Sequence, residues 1–385
     1  MNSQTSRLHL WCPNIFEFKG GIQVYIAFLI EALHCLNMNV SYDVFLKHDT
    51  CTPPEQSSWK EARFHFAGKF PFPLRTPAFA TQILSFGFWQ KPDLIIAAHL
   101  NFTIAAYFLK RLTGIPYWTI AYGVDAWNIN NPLLKAALHE ADCIFSVGGY
   151  TRDRLIKEQN LEPQKMKILP CMVDANTFKI DSKPTYLLER YGLRSEQAVI
   201  LTVGRLCKTD GYKGYDIIIE ALPQIRQAIP DIHYVIVGKG DDRDRVEQLI
   251  SRLHLEDCVT LTGYISDNEL VDHYNLCDVF AMPSKGEGFG IVYLEALACG
   301  KPTLGGDEDG AVDALCHGKL GALVKPDDTD AVAQALTQIL QGTYPNSLMY
   351  NPQALREEML KVFGFEHFKQ ILDGYLKQHF ISAEQ

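Results

Sequence analysis

Short apolar runs alternate with helix-like stretches along the whole chain. In the first half, the runs that predict strands span residues 8–12, 40–45, 93–98, 116–121 and 143–147. In the second half they span residues 198–203, 233–237, 259–261, 279–282 and 302–304. Strand-like runs separated by helical segments are typical of βαβ units, whose strands lie in parallel sheets. The pattern therefore predicts an α/β protein built from two doubly wound domains.

A polar stretch at residues 174–184 predicts the domain boundary, because the strand-like Ile168-Leu169 precedes it and a new series of strands and helices begins after it. This places one domain at residues 1–183 and a second at residues 184–360. In the remaining segment, residues 361–385, apolar side chains recur with i, i+3, i+4, i+7 spacing at Phe368, Ile371, Leu372 and Tyr375. That spacing predicts an amphipathic helix, which needs an apolar surface to lie on.

Composition narrows the classes of function. The chain has 385 residues, of which 47% are hydrophobic and 21% charged, and its formal net charge is −9. An acidic balance argues against a protein that binds nucleic acid through many phosphate contacts. The charge is unevenly distributed along the chain: residues 1–179 have a formal net charge of +3, and residues 180–385 a net charge of −12. Ten cysteines without a CxxC pair, and no apolar run near the first residues long enough for a leader, predict reduced thiols and a cytoplasmic protein.

The segment with the clearest chemical signal is Ser284-Lys285-Gly286-Glu287-Gly288-Phe289-Gly290, between a predicted strand and a predicted helix. In such a turn, backbone N–H groups and the helix dipole favour a phosphate group. Glu287 in the turn and Glu295 in the helix are spaced to hold two parts of one extended ligand. A carboxylate that accepts from two hydroxyls is how nucleotide sites recognise a ribose. In the alternative interpretation the segment binds no ligand: Glu287 lies in a solvent-exposed loop, and Glu295 is an exposed residue of the helix.

Two further turns follow predicted strands. Gly204-Arg205 follows the strand at 198–203, and Lys213-Gly214 precedes the next predicted helix. Arg205 offers a planar fork for two phosphate oxygens, and Lys213 a point charge. Gly20-Gly21 follows the first strand; it lacks the GxGxxG pattern of dinucleotide sites, but paired glycines permit close backbone approach to a phosphate or sugar.

These motifs together resemble the family 4 glycosyltransferases. The resemblance rests on Gly20-Gly21, Gly204-Arg205, Lys213-Gly214 and, above all, the two glutamates Glu287 and Glu295 in their glycine-rich context. It implies the GT-B architecture, in which two Rossmann-like domains face a cleft and the C-terminal helix crosses back onto the first domain. It also implies a retaining, metal-independent transferase with no cofactor beyond its nucleotide-sugar co-substrate.

The resemblance also implies roles for individual residues. Arg205 and Lys213, with the Gly204 turn, would hold the diphosphate, and Gly21 would approach it from the first domain. Glu287 with the Gly288-Phe289-Gly290 backbone would hold the donor sugar, and Glu295 the ribose. Glu287, Arg205 and Lys213 are thus the predicted catalytic set. UDP-glucose is the expected donor, and a saccharide or lipid-linked hydroxyl the expected acceptor, in polysaccharide or glycolipid synthesis.

One position departs from the family pattern. Where many members carry a histidine after the strand at 116–121, this chain has Tyr122-Gly123-Val124-Asp125. A phenol still donates a hydrogen bond, and Asp125 is a second polar candidate. His99, after the strand at 93–98, is a third candidate for the acceptor side, with a structural histidine as the alternative.

Two DxD patterns, Asp242-Arg243-Asp244 and Asp307-Glu308-Asp309, allow a metal interpretation, since paired carboxylates bind divalent ions. Their positions near helix starts favour instead a plain dipole interaction, and we predict no metal site. The alternatives to a transferase are an epimerase or phosphorylase of the same architecture and a non-enzymatic two-domain sugar-binding protein.

Residues 67–89 form an aromatic and basic segment without an acidic residue. Lys69 and Arg75 are its cations, and its aromatic residues are Phe70, Phe72, Phe79, Phe86, Phe88 and Trp89. In one interpretation these rings fill the core of the first domain. In the other they lie in a membrane interface, as peripheral contact on the cytoplasmic face. Prolines at 71, 73 and 77 predict that only residues 79–89 are helical.

Overall fold

The computed structural model describes residues 6–17, 20–36, 39–51, 59 and 62–383, with side chains described up to residue 380. The chain divides into two compact units. One contains Met1–Cys171 together with Phe365–Gln385, and the other contains Met172–Gly364. The C-terminal helix therefore belongs to the first unit, as expected.

The first unit is built on a parallel sheet of seven strands in the order β3-β2-β1-β4-β5-β6-β7. The strands are β1 (Ser6–Cys12), β2 (Val40–Leu46), β3 (Ala62–Phe66), β4 (Leu94–Ala97), β5 (Tyr117–Ala121), β6 (Cys143–Ser146) and β7 (Met166–Ile168). The helices are α1 (Gly21–Cys35), α2 (Phe72–Gln90), α3 (Leu100–Thr113), α4 (Pro132–Glu140), α5 (Gly149–Gln159) and α14 (Phe365–Ala383). The strand order reverses between β1 and β4, so loops after these strands diverge and leave a crevice at the carboxyl edge.

The second unit contains a six-stranded parallel sheet in the order β10-β9-β8-β11-β12-β13. Its strands are β8 (Val199–Val203), β9 (His233–Val237), β10 (Val259–Gly263), β11 (Val279–Met282), β12 (Thr303–Gly306) and β13 (Ala322–Val324). Its helices are α6 (Thr185–Tyr191), α7 (Tyr215–Ala228), α8 (Arg243–Arg252), α9 (Asp267–Leu276), α10 (Ile291–Ala298), α11 (Ala311–Ala314), α12 (Thr329–Leu340) and α13 (Pro352–Phe363). Here the order reverses between β8 and β11. The predicted α/β class with two doubly wound domains is confirmed.

α14 lies on α1 within the first unit. The ring of Phe368 meets the ring of Tyr25 edge to face, with centroids 5.7 Å apart. Phe368, Leu372 and Leu376 are buried. The apolar face predicted for this helix is therefore packed against the first unit. The Tyr375 hydroxyl reaches the Ile168 carbonyl at the end of β7.

The division at Cys171 precedes the predicted boundary at residues 183–184, because residues 172–183 are bound to the second unit. The Arg356 guanidinium donates to the carbonyl groups of Phe178 at 2.5 Å and Ala175 at 2.6 Å. The Asn275 amide donates to the Lys179 carbonyl at 3.1 Å. Polarity marked this stretch as a linker, but its backbone carbonyls are satisfied by side chains far along the sequence.

The structure also corrects the pattern at single elements. β3 and β13 were not predicted; β3 is a partly exposed edge strand, and β13 has only three residues, so neither gives a continuous apolar run. The prediction that helix begins only at residue 79 is wrong, since α2 begins at Phe72 and contains Pro77. Pro73 occupies the first turn, where a missing N–H costs nothing, and Pro77 removes one intrahelical bond close to that end.

Candidate active site

The predicted site residues of the second unit meet at the carboxyl edge of its sheet, where β8 and β11 diverge. Gly204 and Arg205 follow β8, and the glycine-rich segment follows β11. The two loops are joined, because the Lys285 amide donates to the Tyr212 carbonyl at 2.9 Å. Open α/β sheets bind ligands where the strand order reverses.

Lys213 and Glu287 form an ion pair. Both side chains are largely buried, at 12% and 15% exposure. Burial opposes the charge on Lys213, but the adjacent Glu287 carboxylate outweighs it and holds the lysine pKa above its usual value. The Lys213 ammonium also lies 5.3 Å from the ring centroid of Tyr212. The predicted phosphate-binding lysine and sugar-binding glutamate are therefore in contact.

Glycine is required at the turn before α7. Gly214 has a φ of +76°, and an added Cβ would overlap the Pro283 carbonyl at the end of β11. At Gly204 an added Cβ would come to 3.0 Å from the Lys213 side chain. These glycines let the Lys213 loop approach the neighbouring strand end closely.

Arg205 is exposed, and its guanidinium lies 2.9 Å from the Asp210 carboxylate. The arginine side chain is 72% exposed, whereas the aspartate is buried. An arginine that contacts one carboxylate through Nη2 alone keeps its remaining N–H donors for an anion. The arrangement places a second cation at the edge that also holds Lys213.

Asp309 organises the glycine-rich loop. One oxygen of its buried carboxylate accepts from the amides of Gly286 at 2.8 Å and Glu287 at 2.7 Å, and from the Ser284 hydroxyl at 2.7 Å. The other oxygen accepts from the Ala311 amide at 2.9 Å. Burial raises the pKa of Asp309 to about 6 although these bonds oppose the shift. The amides of Gly286 and Glu287, which were expected to face a phosphate, thus donate to the Asp309 carboxylate. Asp309 therefore fixes the position of the Glu287 backbone.

The end of the glycine-rich segment forms the start of α10. Gly290 is the N-cap with a φ of +84°, a conformation that disfavours side chains. Phe289 is buried against Phe363, with ring centroids 5.5 Å apart. The Gly288 carbonyl leaves no room for a Cβ on Gly310. The backbone at residues 288–290 is therefore held in place by packing.

Glu295, one and a half turns into α10, is half-buried and accepts from the Tyr274 hydroxyl at 2.6 Å. Burial raises the pKa of Glu295 to about 7, although the bond from Tyr274 lowers it. The carboxyl is therefore partly protonated at neutral pH. Ionised, it is an acceptor only and suits a ribose diol; protonated, it loses one acceptor.

Sequence reasoning missed several residues at this edge. Tyr212 joins the two loops and Tyr274 positions Glu295. Asp309 was considered only as a metal ligand or as an acidic residue near a helix start. Tyr264, directly after β10, is 71% exposed, and the Lys239 ammonium lies 5.1 Å from its ring centroid. The signal available for Tyr264 and Lys239 was their place directly after predicted strands, which alone does not separate a site residue from a solvated loop.

In the first unit, Gly21 and His99 follow the strands at which the order reverses. Gly21 opens α1 behind the extended N-cap Gly20. His99 caps α3, and its Nδ1 accepts from the Asn101 amide at 3.1 Å. Burial and the positive charge of Lys47 lower the pKa of His99. A neutral imidazole whose Nδ1 accepts carries its proton on Nε2, as a donor at the carboxyl edge.

Tyr122 and Asp125, at the position where many family members have histidine, bind their own neighbourhood. The Tyr122 hydroxyl donates to the Ala98 carbonyl at 3.0 Å, so its single proton is already used. The Tyr122 amide donates to Asp125 Oδ1 at 3.0 Å. Burial raises the pKa of Asp125 to about 6, and among the described residues its buried Oδ2 has no hydrogen-bond partner.

The DxD patterns serve other purposes. Asp242 binds Arg245 at 2.7 Å and the Tyr215 hydroxyl at 2.6 Å, and Asp309 binds the loop described above. Within the part of the chain that the structure describes, no group of three His, Cys, Asp or Glu side chains is arranged to hold a metal ion.

Two family models match the chain in succession. One, described as Glycosyltransferase Family 4, covers residues 19–177, and the other, described as Glycosyl transferases group 1, covers residues 187–354. The first match lies mostly in the first structural unit, without β1 and α14, and the second lies within the second unit. Together they take in every site residue described above.

Relatives and solved structures agree with these models. The chain is 35% identical over 221 residues to a GDP-mannose-dependent alpha-(1-6)-phosphatidylinositol monomannoside mannosyltransferase of Mycolicibacterium smegmatis, covering 54% of this chain and 56% of that protein. It is 24% identical over 355 residues to D-inositol 3-phosphate glycosyltransferase of Stackebrandtia nassauensis, covering 83% and 79%. The chain spans about half the length of this mannosyltransferase and of the protein with the same name in Mycobacterium tuberculosis.

The fold matches that of solved GT-B structures. HepE of Anabaena in complex with UDP superposes with a TM-score of 0.76 at 19% identity, over 97% of this chain and 100% of that one. Sucrose-phosphate synthase of Thermosynechococcus elongatus superposes with a TM-score of 0.77 at 22% identity, over 98% and 100%. These structures show the fold, and the two family models, which together cover most of the chain, show that it belongs to the family 4 glycosyltransferases.

Proposed function

We propose that this protein transfers a hexose from a nucleotide diphosphate sugar to a hydroxyl group of a saccharide or lipid-linked acceptor. The observation that carries the proposal is the pairing of Lys213 with Glu287 beside Arg205, at the point where β8 and β11 diverge. A lysine, an arginine and two glutamates at one sheet edge provide partners for the diphosphate, the sugar and the ribose of a single ligand.

The two cations address the difficult step of the reaction. When the bond between the anomeric carbon and the diphosphate breaks, negative charge grows on the phosphate oxygens. Lys213 is already charged and held in place by Glu287, so it stabilises that charge without reorganisation in the transition state. Arg205 adds a second, exposed cation. The buried setting of Lys213 strengthens this interaction, because little water screens it.

Glu287 and Glu295 bind two different parts of the donor, the sugar and the ribose. Glu287, held by Lys213 and by the Asp309 scaffold, is placed to accept from hydroxyls of the sugar. Glu295, on the following helix, is placed to accept from the ribose diol. Tyr264 supplies an exposed ring at the same edge, on which a base can stack.

The identity of the donor has two leading candidates. UDP-glucose was expected from the sequence, whereas the relative with 35% identity is named for GDP-mannose. We therefore propose a hexose donor and take both as the first to test. The acceptor side is assigned to the first unit, where His99 follows one of the two diverging strands; Gly21, after the other, keeps its predicted role at the donor's diphosphate. Retention of anomeric configuration is part of the proposal and is supported by family membership.

A thermal-shift panel of UDP-glucose, UDP-galactose, GDP-mannose and their nucleoside diphosphates tests donor binding. A ligand present at 100 times its dissociation constant stabilises the folded state by about 2.7 kcal/mol. We expect one nucleotide series to raise the melting temperature of the wild type, and to raise that of Glu295→Gln by less. If no member of the panel changes the melting temperature, the proposed donor site is wrong.

The products formed distinguish the transferase from the other three functions considered, which are an epimerase, a phosphorylase and a sugar-binding protein. An epimerase would convert one nucleotide sugar into another without an acceptor, and a phosphorylase would require inorganic phosphate. A sugar-binding protein would bind without releasing a nucleoside diphosphate. Release of nucleoside diphosphate that requires an acceptor hydroxyl, followed by NMR assignment of the new linkage, identifies the transferase and its stereochemistry.

A further inference from the structure

Helices α2 and α3 of the first unit present large apolar side chains to solvent. We call Leu74, Leu84, Phe88, Trp89, Phe108 and Leu112 the α2–α3 face. Their exposed fractions run from 37% for Leu84 to 84% for Trp89. Phe70 and Phe72, at the start of α2, are exposed as well, at 44% and 76%. Exposed apolar groups concentrated on two adjacent helices mark an interaction surface.

The spacing along α2 shows that this exposure is organised. Phe79, Ile83 and Gly87 are buried, at the spacing of one helical face. Leu74 and Phe88 fall on the opposite face, and Leu84 lies between the two faces. The solvent side of the helix therefore carries large apolar side chains beside the polar Thr81 and Ser85.

α2 and α3 lie side by side at this surface. Gly87 packs directly on Leu109, whose Cδ2 atom leaves no room for a Cβ at that position. Both helices lead into strands at the same edge of the sheet, so Phe88 and Trp89 share an end of the layer with Phe108 and Leu112. This corrects the interpretation that the aromatic residues fill the core: Phe79 does so, whereas Phe88 and Trp89 do not.

Charge identifies the partner. Residues 67–92 contain no acidic residue, and Lys69, Arg75 and Lys91 lie among them, with Arg111 on α3. The Lys69 ammonium lies 5.5 Å from the ring centroid of Phe66, and the Arg75 guanidinium 6.0 Å from that of Phe72.

The carboxylates around the face have partners of their own. Asp142 binds Lys110 at 2.8 Å, Asp93 accepts from the Arg7 amide, and Glu17 binds Thr50. The hydrogen bond from Thr50 and the charge of Arg75 both lower the pKa of Glu17, so Arg75 has one carboxylate nearby. Lys69, Lys91 and Arg111 are exposed. Aromatic side chains flanked by exposed cations suit the interface of an anionic bilayer, where apolar burial and charge attraction add.

We propose that the α2–α3 face docks onto the surface of an anionic phospholipid bilayer. The protein lies on the membrane and does not cross it; among the described residues no helix is long and apolar enough to do so. Phe88 and Trp89 enter the boundary between headgroups and acyl chains, and Lys69 and Arg75 bind lipid phosphates. Docking is independent of the proposed chemistry, since none of these residues belongs to the donor site.

Vesicle co-sedimentation of the full chain tests the proposal. With vesicles of phosphatidylcholine and phosphatidylglycerol we expect binding at about 50 mM salt that weakens strongly at about 500 mM, because screening shortens the range of the attraction. Vesicles of phosphatidylcholine alone should bind at least about tenfold more weakly, since each cation near an anionic surface contributes about 1 kcal/mol. Equal binding to both vesicle types, or no binding to either, overturns the proposal.

Surface variants separate docking from misfolding. Phe88→Ser with Trp89→Ser, and separately Lys69→Glu with Arg75→Glu, should each lower binding by about tenfold or more while the melting temperature stays that of the wild type. The matched control is Lys157→Glu with Arg252→Glu, which makes the same charge change at exposed positions elsewhere and should bind as the wild type does.

If the face instead covers a second copy of the chain, sedimentation velocity will show a dimer that Phe88→Ser with Trp89→Ser dissociates, without vesicle binding. That result contradicts the proposal.

Discussion

Lys213 and Glu287 lie on loops after two different strands, and their side chains form a largely buried ion pair at the carboxyl edge of the second sheet. A buried pair is costly to separate, because removing one partner leaves the other uncompensated. In the proposed donor site, a diphosphate beside Lys213 would add a second anion without displacing Glu287, so the pair would position the lysine before the donor arrives.

Removal of either site cation should slow turnover. We expect Lys213→Met and Arg205→Ala each to lower kcat by about 10² to 10³, by analogy with the loss of one preorganised donor. Steady-state kinetics with the donor found in the thermal-shift panel measures this. Lys208→Met, in the same loop and exposed, is the control and should retain wild-type turnover. A rise in KM alone would mean that the cations bind only the ground state.

The carboxylate of Asp309 should be needed for the shape of the loop. Asp309→Asn replaces one acceptor oxygen with an NH₂ group, so one set of loop donors loses its partner, at a cost of about 1–3 kcal/mol. We expect a lower melting temperature and a loss of kcat/KM that is absent in Asp307→Asn, its exposed neighbour. Wild-type kinetics in Asp309→Asn would remove the loop scaffold from the account.

Nucleotide affinity should depend on pH through Glu295. Its folded-state pKa is raised to about 7, and the ionised form is the one that accepts from both ribose hydroxyls. Affinity for nucleoside diphosphate should therefore fall as the pH drops below about 7, by up to tenfold per unit. Titration calorimetry of wild type and Glu295→Gln measures the difference, which cancels the ionisation of the ligand itself. The same pH dependence in both proteins would show that Glu295 does not contact the ligand.

Gly214 should tolerate no side chain. Its φ of +76° and the nearby Pro283 carbonyl mean that Gly214→Ala adds both backbone strain, of about 1–2 kcal/mol, and a steric overlap. We expect a reduced free energy of unfolding in a denaturant melt. Gly211→Ala is the matched control, because an added Cβ there meets nothing within 4 Å. Equal stability of the two variants would contradict the structural role of this turn.

Activity should survive chelation. The carboxylates of Asp242 and Asp309 are already used in hydrogen bonds within the chain, and Lys213 and Arg205 supply positive charge beside the diphosphate. Turnover measured after EDTA treatment should equal that of the untreated enzyme. Loss of activity that magnesium or manganese restores would return the DxD segments to the mechanism.

The fold was largely predictable because buried parallel strands give continuous apolar runs. β9 and β11 have the predicted bounds, whereas the edge strand β3 is half-polar and was missed. Prolines misplaced the start of α2, since residue type alone does not show that an early proline is tolerated. At the site, the motifs foretold which residues meet at the sheet edge. They did not foretell contacts between distant residues, such as Asp309 with Glu287 or Tyr274 with Glu295, because these depend on tertiary packing.

The most direct measurement is calorimetric titration of UDP and of GDP into the wild type and Lys213→Met. We expect one nucleoside diphosphate to bind the wild type at a single site per chain, and its monophosphate to bind more weakly. In Lys213→Met the affinity for the diphosphate should fall by about tenfold or more, which corresponds to a loss of about 1.4 kcal/mol. Absence of binding by either nucleotide, or an unchanged affinity in Lys213→Met, would contradict the assignment of this edge as the donor site.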